Sequence, residues 1–151
     1  LGRQFDAIFI HDAVMYLTTE DDLLQARATA FAHCRPGGVA LFVPDCVRET
    51  FAPRTECGGH DGDGQALRYL EWTWDPDPSD STFLADYAYI LHEADHPPRR
   101  EYEQHTCGLF ARADWLCLLT EVGFQAKTEQ IELSDESFPV IDVFVGTKPT
   151  Q

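Results

Sequence analysis

Basic residues are scarce: 11 lysines and arginines face 26 aspartates and glutamates, a formal net charge of −15 over 151 residues. A surface of that sign repels polyanions, so no nucleic-acid partner and no anionic membrane partner is expected. The five cysteines, Cys34, Cys46, Cys57, Cys107 and Cys117, include no C-x-x-C pair. An odd number without paired spacing indicates neither a disulfide framework nor a zinc ribbon. Reduced thiols and a cytoplasmic setting are the expectation. There is no run of 18 apolar residues, hence no predicted membrane-spanning helix. There is no G-x-S-x-G elbow either, and no cysteine carries a nucleophile motif.

What is present is a hydrophobic content of 44%, with aromatic residues making up 12% of the chain. That is enough for a packed core, and the length fits a single domain over residues 1–151. Residues 5–17 read "FDAIFIHDAVMYL". The apolar run predicts a strand over 6–10, covered on both faces. Thr18 or Thr19 is placed to cap a helix, with Glu20, Asp21 and Asp22 in its first turn. Leu24, Ala28 and Phe31 supply one buried stripe, and Arg35-Pro36-Gly37-Gly38 stops the helix. A second buried strand follows over 39–43, completing a parallel β-α-β unit.

The pattern then changes. Residues 45–65 read mostly as loop, with a short helix near 47–51. Segments 67–74, 82–92 and 100–110 alternate and are rich in aromatics, which predicts a three-strand antiparallel insertion spanning 66–110. Asp114 opens another helix, Trp115, Leu119 and Val122 form its buried stripe, and Gly123 ends it. Strands over 126–133 and 140–147 close the chain.

This order resembles class I S-adenosylmethionine-dependent methyltransferases. The residues that carry the resemblance are "FDAIFIHDAVMYL", the capped helix, "CRPGGVALFVPD", and the late helix ending "LLTEVGF" before two strands. The resemblance implies an α/β fold, a partial Rossmann-like sheet in family order 4-5-7-6, with the insertion on the substrate side. It covers the family's second half only, from strand four onward; the glycine-rich turn after the first strand has no counterpart. The one glycine-rich stretch, residues 58–64, lacks a strand before it.

The resemblance therefore implies the substrate-side half of a small-molecule methyltransferase, using S-adenosylmethionine and inactive as an isolated chain. The alternative is a non-catalytic, homo-oligomeric binding module derived from that fold. The resemblance puts His11 and Asp12 against the cofactor, with His11 as a base. Tyr16, His60, Arg68, Tyr69, Trp72, Tyr87 and His105 are the substrate-side residues, as polar tips on aromatic or basic bodies. Cys57-x-x-His60-Asp61 lacks an evident fourth ligand, so no metal is expected. If residues 5–10 are a central strand without a neighbour, their edge is unblunted, and a homodimer pairing this strand with its own copy is expected.

Overall fold

The computed structural model describes residues 2–132 and 140–150. In chain order the strands and helices are β1 (Phe5–His11), α1 (Glu20–His33), β2 (Cys34–Val43), β3 (Arg54–Gly62), β4 (Gln65–Trp74), β5 (Thr82–Glu93), β6 (Arg99–Gly108), α2 (Arg112–Glu121), β7 (Gln125–Glu132) and β8 (Val140–Thr147). A 3-10 turn, Ala13–Tyr16, joins β1 to α1. The chain divides into two compact units, one made of the parts up to Phe51 and from Gly108 onward, the other of Ala52–Cys107.

The first unit is an α/β layer with sheet order β1-β2-β8-β7. β1 and β2 are parallel, and β8 runs antiparallel to both β2 and β7. This is the order 4-5-7-6 expected from the sequence. Residues 133–139, which include the last residue of the strand expected over 126–133, lie outside the described residues.

α1 starts where expected. Thr19 Oγ1 accepts the Asp22 N–H at 3.1 Å, and the three acids fill the first turn. Its buried stripe is different: Leu23, Arg27 and Ala30 face the core, while Ala28 is exposed and Leu24 and Phe31 only flank it. The reason is Arg27, a charged residue at the centre of the stripe. Its guanidinium lies 4.4 Å from the Trp115 ring centroid, a kind of burial that a hydrophobic pattern does not register. The helix end is also held differently. Residues 34–38 already belong to β2, and Lys148 Nζ donates to the Phe31 and Cys34 carbonyls at 2.7 and 3.0 Å. A lysine thereby satisfies carbonyls the last turn leaves open.

α2 begins at Arg112, not Asp114; the Asp114 carboxylate reaches back to accept the Ala111 N–H at 3.0 Å. Trp115, Leu118 and Leu119 are buried, with Val122 at the flank. Gly123, at φ 103°, makes the left-handed exit. The Phe124 N–H then bonds Leu119 O at 3.1 Å, and its ring meets Phe31 edge-on at 5.0 Å. Both helices share one core with Ala40, Phe42 and Phe144 of the sheet. Ile8 and Ile10 also turn to that core, whereas Phe9 on the other face is 65% exposed.

The second unit is a sheet of order β3-β4-β5-β6. The antiparallel insertion has one strand more than expected, because residues 54–62 pair with β4 along their whole length. Glycine hid this strand. Gly58 and Gly59 sit opposite Tyr69 and Arg68, whose side chains occupy the space a Cβ would take. The expected short helix at 47–51 is a single turn in which the N–H groups of Thr50 and Phe51 both bond Val47 O at 2.9 Å.

Candidate functional site

The carboxyl ends of parallel strands are where open α/β sheets bind ligands. His11 is the last residue of β1; it is exposed, and its ring lies parallel to that of Phe9, centroids 5.9 Å apart. Asp12 follows with φ 57° and ψ −67°. These are the angles of the rare form of γ-turn, strained for any residue with a Cβ. Two hydrogen bonds hold it: its N–H to Val43 O at 3.3 Å, and its own carbonyl from the Met15 N–H at 2.8 Å. Val14 and Met15 point into the protein, so Tyr16 is turned outward, 55% exposed. The turn thus gathers His11, Asp12 and Tyr16 at one end of β1.

A cluster that sequence reading missed lies at the same end of the sheet. Phe144 pairs with Phe42, so Asp142 is level with the residue just past β2. Asp142 is buried and accepts both Nε and Nη2 of Arg112, at 3.0 and 2.9 Å, and Gln130 Nε2 at 3.3 Å. The Arg112 N–H donates to the Glu49 carboxylate at 3.1 Å. The bonds that Arg112 donates to Asp142 hold its guanidinium above its ordinary range. The only local sign in the sequence is an aspartate inside the apolar run "VIDVFV".

On the second sheet the expected substrate residues separate by the period of two. His60, Tyr69, Tyr87 and His105 share one face. The Tyr87 ring lies 5.9 Å from Tyr89 and 5.2 Å from His105, and Tyr69 stands directly opposite Tyr89. Glu71 pairs with Tyr87 on that face. Burial, and then Glu103 and Glu71, raise the Tyr89 hydroxyl above its ordinary value.

Arg68 and Trp72 are on the opposite face. Arg68 makes a two-point contact with Asp61, at 2.7 and 2.8 Å, beside an open cleft of ≈ 520 Å³ lined by Cys57, Gly58, Gly59, Asp61, Arg68 and Tyr69. Trp72 stacks on Trp74 at 5.0 Å. Next to them is a second feature not foreseen. Asp86 accepts Trp74 Nε1 at 2.6 Å, Gln104 Nε2 at 2.7 Å and the Tyr102 hydroxyl. The bond from Tyr102, then that from Trp74, holds the Asp86 carboxyl below the usual range.

Neither unit offers a complete cofactor cradle among the described residues. Gly58 and Gly59 lie within β3, where cross-strand partners take the space a Cβ would need, so they do not form a strand-to-helix glycine turn. His11 and Asp12 stand at the end of β1 without a glycine-rich strand–turn–helix beside them among the described residues. Alternation along β3 puts His60 on the face opposite Cys57 and Asp61. No set of three such side chains converges for a metal among the described residues. Nor is any described helix long and apolar enough to cross a membrane.

No family model and no curated protein sequence matches the chain. Solved structures do. DesVI of Streptomyces venezuelae is 25% identical, with a TM-score of 0.81 over 99% of this chain and 60% of its own. CalS10 of Micromonospora echinaspora, an amino pentose methyltransferase solved with S-adenosylmethionine bound, is 20% identical, with a TM-score of 0.80 over 98% of this chain and 60% of its own. The sugar N-methyltransferase KedS8 of a Streptoalloteichus species is 23% identical, with a TM-score of 0.79 over 99% and 58%. The chain therefore has the fold of class I S-adenosylmethionine-dependent methyltransferases, and it spans about 60% of the length of the structures it matches.

Proposed function

We propose that this chain is the acceptor-side part of an S-adenosylmethionine-dependent methyltransferase whose substrate is a small amine-bearing molecule, an amino sugar above all. The observation that carries this reading is likeness over nearly the whole chain, insertion included, to CalS10 and KedS8. An amine suits the tyrosine face of the insertion. Tyr69, Tyr87 and Tyr89 present ring faces, and Glu71 adds negative charge, a combination that attracts an ammonium group. The cofactor's adenosine is held by groups this chain does not contribute.

Two results are expected. By calorimetry the chain alone binds S-adenosylmethionine more weakly than micromolar, short of about −8 kcal/mol. Joined to a cofactor-binding portion, it transfers labelled methyl groups to amino sugars and not to the same sugars with a hydroxyl in place of the amine. Micromolar or tighter binding by the chain alone, or equal transfer to both acceptors, overturns the reading.

In the isolated chain the outer edge of β1 is open, because β1 is the terminal strand of its sheet. It has no proline or lysine, and its one acid, Asp6, is paired with Arg35 at 2.8 Å. Such an edge templates pairing. Two copies joined antiparallel through residues 5–10 satisfy the ladder and cover Phe9. Light scattering at tens of micromolar is expected to report a dimer that Phe9→Lys weakens. Phe9 is the informative position because Ile8 faces the core. A wild-type monomer ends this proposal.

A further inference from the structure

Gly108 is the residue at which the chain re-enters the first unit. Its backbone has an ordinary negative φ, so conformation does not demand a glycine there. Space does. A Cβ at this position would lie 2.3 Å from the carbonyl oxygen of Leu17 and 2.7 Å from the Phe110 ring. The Phe110 ring is packed in the core, 3% exposed, and the carbonyl is backbone and can retreat only by moving its segment. Ordinary contact begins at 3.4 Å, so a methyl group here forces a shift of about 1 Å.

Leu17 closes the 3-10 turn that follows Asp12. Its N–H bonds Val14 O at 3.2 Å, and Met15 N–H bonds Asp12 O at 2.8 Å. Val14 and Met15 are buried, 2% and 3% exposed, so the turn cannot yield as a loose loop would. Pressure on Leu17 passes along this short bonded path to Tyr16 and to the strained peptide at Asp12.

We infer that Gly108 is a positioning residue: by its close approach to Leu17 it sets the location of the turn that presents His11, Asp12 and Tyr16. This rests on the methyltransferase reading given above, and it deepens that reading by tying the insertion's return point to the geometry of the reacting end. Methyl transfer depends on alignment of acceptor, methyl and leaving sulfur, and an error of 1 Å can cost about a hundredfold.

The test compares Gly108→Ala with Gly62→Ala, whose added Cβ meets nothing closer than 3.6 Å. In the chain alone, amide hydrogen exchange is expected to quicken over residues 12–17 in Gly108→Ala, with the rest of the first unit unchanged. In the enzyme completed with a cofactor-binding portion, kcat is expected to fall about a hundredfold, while KM for S-adenosylmethionine changes less than threefold. Gly62→Ala is expected to match wild type in both assays. Unchanged exchange over 12–17 overturns the inference, as does faster exchange spread evenly over the unit, which reports loss of fold. So does a kcat within twofold of wild type. A wild-type enzyme that methylates nothing defeats the functional reading instead, and the exchange experiment still decides the link between Gly108 and the turn.

Discussion

Arg27→Met is expected to raise the thermal midpoint of the chain by roughly 5 °C, the shift that 1–2 kcal/mol produces at this size. Arg27 is fully buried, and its Nε, Nη1 and Nη2 have no hydrogen-bond partner among the described residues. What favours it is stacking on Trp115 at 4.4 Å and, at 5.8 Å, on Phe42. A desolvated contact of that type contributes about 2 kcal/mol. Against it stands removal of an unpaired charge from water, a cost of several kcal/mol. The cost is the larger. Burial lowers the Arg27 pKa from its ordinary value to about 10, equivalent to a penalty on the order of 3 kcal/mol for the charged form.

Methionine keeps the unbranched stem, its polarizable sulfur packs well beside aromatic rings, and it carries no charge. The pH dependence gives a second check. The folded pKa lies below the unfolded one, so the penalty is complete at pH values below about 10 and fades as pH climbs through about 10 toward the unfolded value. The advantage of Arg27→Met should therefore be full at pH 8 and smaller at pH 11. Melts of both proteins at the two values measure it. A variant less stable than wild type at pH 8 means that stacking outweighs desolvation.

Asp86→Ala is expected to destabilise the second sheet by about 2–4 kcal/mol. It leaves Trp74 Nε1, Gln104 Nε2 and the Tyr102 hydroxyl without their shared acceptor. Asp86→Asn keeps an acceptor but loses the charge, and it should cost less than half as much. Because the bonds depress the carboxyl pKa in the folded protein, this stability is present above the unfolded value near 4 and is lost as pH falls through the folded value. Denaturation followed by tryptophan fluorescence at pH 7 and at pH 2.5 reads both effects. An alanine variant within 0.5 kcal/mol of wild type at pH 7 would show the network to be idle.

The elements legible in the sequence were those whose signal is local. Thr19 with three acids after it marked the start of α1, and Gly123-Phe124 marked the end of α2. The apolar runs of β1 and β2, with a helix between them, fixed a parallel pair. What sequence reading missed depends on partners far along the chain. β3 looks like loop because its side-chain volume is supplied by Tyr69 and Arg68 of β4. Arg27 reads as surface until Trp115, 88 positions away, covers it. Asp142 finds Arg112 across 30 residues, and Asp86 collects donors from two neighbouring strands. The candidate residues fared by the same logic. His11, Asp12 and Tyr16 are neighbours in the chain, and the turn after β1 keeps them at one end of that strand. In the insertion, period two along residues 67–74 already parts Arg68 and Trp72 from Tyr69 in the sequence; the pairing of strands far apart in the chain adds Tyr87 and His105 to the Tyr69 face.

The two points where the chain passes between its units are stitched to each other on the α/β side. The Arg48 N–H bonds Phe110 O at 3.0 Å, and Arg48 Nη2 bonds Leu109 O at 3.1 Å. The root of the insertion is thus closed before the insertion begins, so whatever lies from Ala52 to Cys107 adds little loop-closure cost to the framework. In evolutionary terms this makes the segment an exchangeable cassette. A lineage can lengthen it, replace it or reshape its faces for another acceptor, and the α/β framework keeps its register, because no strand of that framework relies on the cassette for its hydrogen bonds.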